Sequence, residues 1–488
     1  MPLHGFFETF PMSAELQFKL HKPSATFKST GFHVGSYRDF HTRVCQKIQA
    51  TKTRSEPDPD LPESLFKTAT DARMLFHSWD FLARNGGQTP GPDNKRFDDY
   101  DSAEVWRLLT SVSNAIHKGT FRRGAITHVK VLKDSTDPLR GHRTLSVMSI
   151  VDRVVHRACA DVISLWVEDL WTPDTERFVS NERVFGFRSR RDRRHALAVA
   201  QHLAQTQNRF VWLTEDLRNA FDTVPLTPLK EILKTYIPSP KLVDFAVEMA
   251  ATNKKRGLLQ GSSLSPLLLN IYLHHILDRV WAKKFPEVPL LRYADDLLLL
   301  CRTKREADSV RKQLARILKP TGMTLKPQDR ADAITSLKRR ESTTWLGFGI
   351  QFSDRKFQTT IEERMFGQLQ DSLERAHDFV NSPLRAMAIT KAWLAQMGPC
   401  FESSDREDVL EQVGMIAEQA GFEELPSTKS LLCLWKKSAN RWQCLYDELL
   451  TVPVMTNHMP TAFRRSVSRR SAQLPTPFHV GEAQVRGF

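Results

Sequence analysis

The sequence predicts an α/β (α+β) fold in which antiparallel strands and helices precede a helical C-terminal section. Residues 211–216 form an apolar run that ends in Asp216, and residues 292–300 form a second one interrupted by Asp295 and Asp296. Short apolar runs of this length predict buried strands, and the acidic pair predicts a turn between two of them. Beyond about residue 353, apolar residues recur at three- and four-residue spacing, which predicts helices at 361–380, 383–397, 409–420 and 431–450.

The three acidic residues at the strand ends predict a metal site. Asp295 and Asp296 are adjacent, and Asp216 ends another strand that could face them. Carboxylate oxygens are the ligands that Mg²⁺ prefers, and Mg²⁺ also keeps waters and shares substrate phosphates. Two such ions about 4 Å apart stabilise the attacking and leaving oxygens of a phosphoryl transfer. We therefore expect two Mg²⁺ ions here, with Mn²⁺ as the second candidate.

Several motifs surround these acids in a fixed order between about residues 80 and 350. They are Ser149–Arg157, Phe185-Gly186-Phe187-Arg188, Asp216 with Phe221, Gln260–Asn270, Tyr293-Ala294-Asp295-Asp296 and Trp345-Leu346-Gly347-Phe348. In type and order they resemble the blocks of reverse transcriptases, specifically those of the prokaryotic group II intron-like lineage. A lone Asp-Asp pair would be a weak signal, whereas several blocks in register are a specific one.

The resemblance implies a right-hand polymerase with fingers, an antiparallel palm sheet flanked by helices, and an α-helical thumb. Its implied activity is RNA-directed DNA synthesis, with Asp216, Asp295 and Asp296 as catalytic metal ligands assisted by the Leu217 carbonyl. The resemblance also implies nucleotide-binding residues, which are Lys133, Arg143, Phe221, Gln260 and Gly261, and a primer grip formed by Trp345, Leu346, Gly347 and Phe348. Phe221 would exclude a ribose 2′-hydroxyl, so deoxynucleotides are the expected substrates.

Simpler interpretations exist for several of these residues. Asp222 fits a helix N-cap or a structural hydrogen-bond acceptor better than a metal ligand. Lys133 could be an ordinary surface lysine, and Trp345 could be only a hairpin aromatic residue. The loop from Gly86 to Asp93 resembles one that intron-type enzymes carry before their first fingers block, but glycine and proline alone specify only a turn.

One position departs from the family pattern. The resemblance places a lysine that protonates the pyrophosphate leaving group at position 329, where this chain has Asp329. Lys326 and Arg330 are the nearby substitutes, and an arginine is a poor proton donor near neutral pH. The identity of the general acid therefore stays open.

The charge of the chain indicates a polyanionic partner. Its formal net charge is +14 and its pI about 9.5. Five arginines cluster in the fingers region: Arg188, Arg190, Arg191, Arg193 and Arg194. A run of this kind is often a solvated face; we expect instead that template RNA crosses it. The expected partners are a structured, noncoding template RNA, the DNA product and deoxynucleotides.

The predicted organisation has four parts. Residues 1–62 form an N-terminal extension and linker, 63–352 the fingers and palm, 353–450 the thumb, and 451–488 a basic flexible tail. The six cysteines stand singly, which argues against structural zinc or a disulfide framework. We find no signal peptide and no membrane span, so a cytoplasmic protein is expected. An oligomer remains compatible with the sequence.

The sequence predicts the biological role less specifically than it predicts the chemical reaction. A compact enzyme of this type is similar to the domesticated reverse transcriptases of bacterial antiphage defence, which copy a dedicated noncoding RNA. The alternative is a group II intron maturase or retroelement enzyme whose main role is RNA binding and splicing. The sequence leaves the primer open, which could be a DNA, RNA or protein hydroxyl.

Overall fold

The computed structural model describes residues 43–46, 48, 50–52, 59–85, 89–133, 139, 141–171, 183–188, 191–327, 330–379, 381–423 and 427–451. Several sequence predictions lie outside these residues: most of the N-terminal extension, the basic tail, Arg190 and Asp329. Within the described part, no helix is both long and apolar enough to cross a membrane.

The N-terminal part of the described chain combines helices with one pair of strands. Its helices are α1 (Leu61–Thr70), α2 (Ala72–Asn85), α3 (Ser102–His117), α4 (Ile150–Val167) and α5 (Arg193–Thr206). Helix α4 packs against α1 and α2. The antiparallel strands β1 (Ile126–Leu132) and β2 (His142–Met148) form a separate two-stranded sheet, which we call the fingers hairpin. Side chains cap three of the helices: Asp101 caps α3, Ser149 caps α4 and Asp192 caps α5.

A four-stranded antiparallel sheet, which we call the palm sheet, lies at the centre. Its strands are β3 (Val211–Asp216), β4 (Leu290–Tyr293), β5 (Asp296–Cys301) and β6 (Ile334–Ser336), in the order β4-β5-β3-β6. The helices between these strands are α6 (Ala220–Thr223), α7 (Leu226–Tyr236), α8 (Pro240–Ala250), α9 (Ser265–Leu273), α10 (Arg279–Lys284), α11 (Lys304–Leu318) and α12 (Arg330–Ala333). A π-helical turn, His274–Asp278, joins α9 to α10.

The C-terminal part begins with a second antiparallel sheet and continues as helices. The sheet contains β7 (Thr343–Trp345), β8 (Phe348–Ser353) and β9 (Lys356–Ile361). The helices that follow are α13 (Glu363–Glu374), α14 (Ser382–Gln396), α15 (Arg406–Gln419) and α16 (Thr428–Thr451). Short 3₁₀ turns occupy Phe97–Asp99, Glu168–Trp171, Lys319–Thr321, Leu337–Arg339, Arg375–Asp378 and Gly398–Cys400.

The two faces of the palm sheet belong to two hydrophobic cores. Alternate residues of a strand point to opposite faces, so Val211 and Leu213 join the core that contains the helices of the N-terminal and central parts. Trp212, Leu298 and Leu300 join the second core, together with apolar residues of α13–α16. Both faces of the sheet are therefore covered, and the strands are buried almost throughout.

The architecture confirms the predicted fold: antiparallel palm strands flanked by helices, then a helical section as in the thumb of a right-hand polymerase. Some helix boundaries differ from the predicted ones. The first predicted thumb helix starts at Glu363, because Ile361 pairs with Phe348 at the end of β9. Helix α9 ends at Leu273, where the π-helical turn begins.

Candidate active site

Strand register brings the three predicted acids together at one end of the palm sheet. Asp216, the last residue of β3, lies opposite Asp296, the first residue of β5. The amide of Leu217 donates to the carbonyl oxygen of Asp295 over 3.2 Å, so the chain leaving β3 stays attached to the acidic turn. One edge of the sheet thus presents all three carboxyl groups.

Burial and mutual repulsion govern the charge state of these groups. Burial raises the pKa of Asp296 to about 8, and the neighbouring carboxylates of Asp295 and Asp216 contribute to the rise. Burial likewise raises the pKa of Asp295 to about 6, with a further contribution from Asp216. Carboxylates in such an environment ionise readily only when positive charge is close.

Lys326 supplies positive charge directly. Its Nζ lies 2.5 Å from Oδ2 of Asp216, and its amide donates to the Asp216 carbonyl oxygen over 2.8 Å. A bridge between Leu217 and Leu325 holds the two segments side by side. Burial raises the pKa of Asp216, and the hydrogen bond and charge of Lys326 oppose that rise. Lys326, one of the two substitutes for the missing lysine at position 329, therefore contacts the acidic site.

The site has a donor set that suits a divalent cation bound partly by other groups. Oδ1 of Asp216 is buried and accepts no hydrogen bond from any residue that the structure describes. Within the same residues, no three His, Cys, Asp or Glu side chains converge closely enough to enclose an ion by themselves. An orphaned buried carboxylate oxygen beside two further carboxyl groups fits an ion that completes its shell with water and phosphate.

The fingers hairpin carries the two predicted triphosphate ligands. Arg143 pairs with Val131 in the hairpin register, and the Lys133 amide donates to the Gly141 carbonyl oxygen just beyond the strand pairs. Lys133 is exposed. Burial and Lys326 have the larger effects on the pKa of Asp216, and the positive charge of Lys133 also lowers that pKa.

The turn at Gln260 and Gly261 joins this hairpin to the palm. The Ser146 amide donates to the Gln260 carbonyl oxygen over 2.6 Å. Gly261 has φ +104°, and a Cβ there would lie 2.9 Å from the Ser146 carbonyl oxygen, so the close approach requires glycine. Nε2 of Gln260 donates to both carboxylate oxygens of Asp222, over 3.3 Å each. Asp222 is thus a hydrogen-bond acceptor inside α6, whose N-cap is Asn219.

Local contacts fix the positions of Phe221 and of the predicted primer grip. Phe221 is 8% exposed, and its carbonyl oxygen accepts from the Leu258 amide. Trp345 pairs with Phe348 across a two-residue turn, and both turn residues have positive φ: Leu346 at 53° and Gly347 at 81°. Such a turn matches the twist of paired strands.

The predicted RNA-binding arginines do not form one exposed surface. Arg188 is 6% exposed and contacts Glu168 and the Val184 carbonyl oxygen. Arg193 is 5% exposed and stacks over the Phe348 ring at 5.1 Å. Both guanidinium groups therefore serve protein contacts: Arg188 does so before α5, and Arg193 does so at the first residue of α5.

Arg194 and Arg191 complete the described part of the arginine run. Arg194 pairs with Asp192 at 2.5 Å and donates to the Ala395 carbonyl oxygen of the thumb. Arg191 is partly exposed. Among the described arginines of this run, Arg191 is the one whose exposure agrees best with the predicted contact to RNA.

One charged residue near the site was not predicted from the sequence. Arg364, at the start of α13, contributes positive charge that opposes the raised pKa of Asp296, which burial and the other carboxylates cause. Its Nε donates to Glu362 over 2.6 Å. No sequence pattern marks this residue, because the contact depends on how the thumb packs on the palm.

Comparison with known families agrees with this geometry. Residues 131–350 match the family model described as "Reverse transcriptase (RNA-dependent DNA polymerase)". The match begins near the end of β1 and ends in β8, so it contains β2, the palm sheet and all three acids. This part of the chain is therefore similar to reverse transcriptase domains, which generally use divalent metal ions.

Individual relatives are distant. The chain is 24% identical over 232 residues to a putative COX1/OXI3 intron 2 protein of Saccharomyces cerevisiae, covering 45% of this chain and 25% of that protein. It is 23% identical over 222 residues to a reverse transcriptase-like protein of Chlamydomonas reinhardtii, covering 43% of this chain and 54% of that one. The chain thus spans between a quarter and about half of the length of these relatives.

Among solved structures, the chain is similar to telomerase from Candida albicans in complex with a fragment of telomeric RNA. The TM-score is 0.35 at 11% identity, over 72% of this chain and 71% of that one. Telomerase from Candida tropicalis gives the same TM-score at 14% identity, over 72% of this chain and 68% of that one.

Proposed function

We propose that this protein is an RNA-directed DNA polymerase that extends a 3′-hydroxyl along a bound RNA template. The observation that carries the proposal is the pairing of Asp216 with Asp296 at the end of the palm sheet. It lies inside the segment that matches reverse transcriptases. Three carboxyl groups on one sheet edge, facing a hairpin that bears cations, suit nucleotidyl transfer.

The protein side chains have separate tasks in this proposal. Asp216, Asp295 and Asp296 bind the metal, assisted by the Leu217 carbonyl, while Lys133 and Arg143 orient the triphosphate. Phe221 excludes the ribose 2′-hydroxyl. Gln260 and Gly261 border the nascent base pair, and the turn from Trp345 to Phe348 seats the primer end. Preorganised positive charge aimed at the developing negative charge is the main source of rate in such reactions.

We propose Mg²⁺ as the metal, with two ions at the acidic site and Mn²⁺ as a substitute. When bound, the ions supply Lewis-acid charge to the attacking and leaving oxygens. The orphaned Oδ1 of Asp216 supports this assignment. Lys326 balances the charge of Asp216 and is the nearest candidate to donate a proton to pyrophosphate.

A primer-extension assay tests the proposal. The full chain is supplied with an RNA template, an annealed DNA primer, Mg²⁺ and deoxynucleotides. We expect extended DNA from the wild type and none from Asp295→Ala with Asp296→Ala. The matched control is Asp332→Asn, an exposed palm carboxylate, which should retain extension. Absence of extension by the wild type on every template and primer tried would overturn the proposal.

For the biological role, we propose synthesis of DNA from a cognate noncoding RNA, in antiphage defence. The net charge of +14 supports a nucleic-acid partner. The second candidate, favoured by the similarity to an intron protein of yeast, is a maturase that mainly binds and splices structured RNA. Sequencing the nucleic acid that copurifies from the native locus separates them. Complementary DNA that disappears in the double aspartate variant supports synthesis, whereas bound intron RNA without DNA supports the maturase.

A further inference from the structure

The turn that carries Asp295 and Asp296 is strained at its first residue. Ala294 has φ +57°, in the left-handed region that residues with a side chain seldom adopt. Such a conformation persists only where the surrounding structure enforces it. The residues that enforce it here come from three separate segments.

A buried arginine lies directly behind this turn. Arg292 is 0% exposed, and its guanidinium donates to the Ala294 carbonyl oxygen over 3.0 Å. The same group forms a fork on Asp278, with Nε to Oδ1 at 2.9 Å and Nη2 to Oδ2 at 2.6 Å. It also donates to Oδ1 of Asn270 over 2.6 Å. A forked, fully buried arginine is a rigid support.

The helix that carries Asn270 and Asp278 contains the irregularity that brings both to Arg292. The segment from His274 to Asp278 is a π-helical turn, and such turns often occur at functional sites. Asn270 in turn donates from Nδ2 to the Gly186 carbonyl oxygen over 2.6 Å.

Gly186 closes the arrangement from the opposite side. A Cβ at this position would overlap the Ala294 amide nitrogen and lie 2.9 Å from the Tyr293 carbonyl carbon. The flanking backbone is tied to the same strand, because the Phe185 amide donates to the Arg292 carbonyl oxygen over 2.9 Å. We call the four residues Gly186, Asn270, Asp278 and Arg292 the arginine clamp.

We propose that the arginine clamp is a positioning device for the metal-binding carboxylates. It fixes the backbone at Ala294 and thereby the direction in which Asp295 and Asp296 leave the turn. The inference rests on the function proposed above. Supporting groups one step removed from metal ligands affect metal affinity or activity about 10- to 100-fold.

The test separates positioning from simple stability. Removing one partner of a buried ion pair destabilises a protein, whereas replacing both by apolar residues is often neutral. The informative variant is therefore Arg292→Met with Asp278→Leu. The matched control is Arg209→Met with Glu306→Leu. Arg209 is also a buried arginine, 1% exposed, and it pairs with Glu306 over 3.2 Å. It lies at the opposite end of the palm sheet, just before the first residue of β3.

Three quantities are measured on each full-length protein: the Tm without divalent ions, the Mn²⁺ concentration that half-maximally raises the Tm, and kcat for primer extension. We expect similar Tm values for both double variants. In the clamp variant alone, the Mn²⁺ midpoint should rise and kcat should fall, each about 10- to 100-fold. Equal Mn²⁺ midpoints in the two double variants would overturn the inference.

A conservative variant keeps the test decisive if the double variant does not fold. Arg292→Lys retains the charge beside Asp278 but cannot also reach Ala294 and Asn270 as a fork. Its Tm should stay close to that of the wild type, and its Mn²⁺ midpoint should rise. An unchanged midpoint would contradict the positioning role of the clamp. A wild type that binds Mn²⁺ but extends no primer overturns the proposed function, while the midpoints still decide the role of the clamp.

Discussion

The palm sheet and the fingers hairpin are both antiparallel, yet they differ in how they hold their charged residues. The palm strands are buried on both faces, and their acids leave the sheet at one fixed edge. The hairpin strands are more exposed than the palm strands, and Lys133 is exposed. The palm therefore presents its acids from a buried sheet, whereas the hairpin presents its cations from a more exposed one.

This difference indicates a division of labour. Groups held rigidly act on the chemical step, because preorganisation removes the cost of reorienting them during the reaction. In the proposed function, we expect the cations of the hairpin to act on nucleotide capture, because their charge would attract a triphosphate without fixed geometry. Changes to the palm should thus alter kcat, and changes to the hairpin should alter KM.

The largest effect is expected from Asp216→Asn. Replacing this carboxylate by an amide removes the charge opposite Asp296 while keeping the side-chain shape. We expect kcat for primer extension to fall by about 10²–10³-fold, with little change in KM for deoxynucleotides. Steady-state kinetics measure both constants. A variant with normal kcat and raised KM would break the proposed division.

A smaller effect is expected from Phe221→Ala, which enlarges the palm side of the nucleotide site. Phe221 is buried, so its ring is a firm barrier. Discrimination between deoxynucleotides and ribonucleotides should relax about 10- to 100-fold. The ratio of kcat/KM for the two substrates measures it. Phe221→Leu keeps most of the side-chain volume and should reduce this discrimination less. An unchanged ratio in Phe221→Ala would show that Phe221 does not exclude the ribose 2′-hydroxyl.

On the hairpin, Arg143→Ala should raise KM for deoxynucleotides about tenfold, as expected for losing one charge-assisted hydrogen bond. The change in kcat should be smaller than the change in KM. Lys130→Ala is the matched control, because Lys130 is an exposed cation of the same hairpin. Equal effects of the two substitutions would mean that the hairpin contributes only diffuse charge.

The smallest effect concerns stability and pH. In the folded protein Asp296 keeps its proton up to about pH 8, whereas its ordinary pKa is 3.8. Between these values unfolding releases a proton, so rising pH favours the unfolded state. The Tm of metal-free protein should fall by a few degrees over this range. Asp296→Asn should flatten the dependence, and a Tm profile identical to wild type would contradict the raised pKa.

The sequence predicted the parts of the site that depend on short segments. Asp216 ends one apolar strand, Asp296 begins another and Asp295 lies in the turn before it, and strand pairing brings Asp216 and Asp296 together as expected. The predicted palm and thumb architecture is confirmed for the same reason, since apolar periodicity is a local signal. The roles assigned to individual residues stay predictions.

What the sequence did not reveal depends on contacts between distant segments. Lys326 meets Asp216 across 110 residues, and Asn270 meets Gly186 across 84. The inward direction of Arg188 and Arg193 could not be read from a run of arginines, because exposed and buried arginines look alike in sequence. Arg188 is buried by its contacts with Glu168 and Val184, and Arg193 by its contacts with Phe348 and Met365.

The second core has a consequence for dividing this chain into parts. Trp212 and Leu298 of the palm lie in the same apolar cluster as Trp393 and Leu445 of the thumb helices. A cut near residue 353 would pass through that cluster and expose the apolar residues that α5 shares with the thumb helices. The palm and the helices after it should therefore melt in a single cooperative transition, and neither is a module that can be exchanged alone.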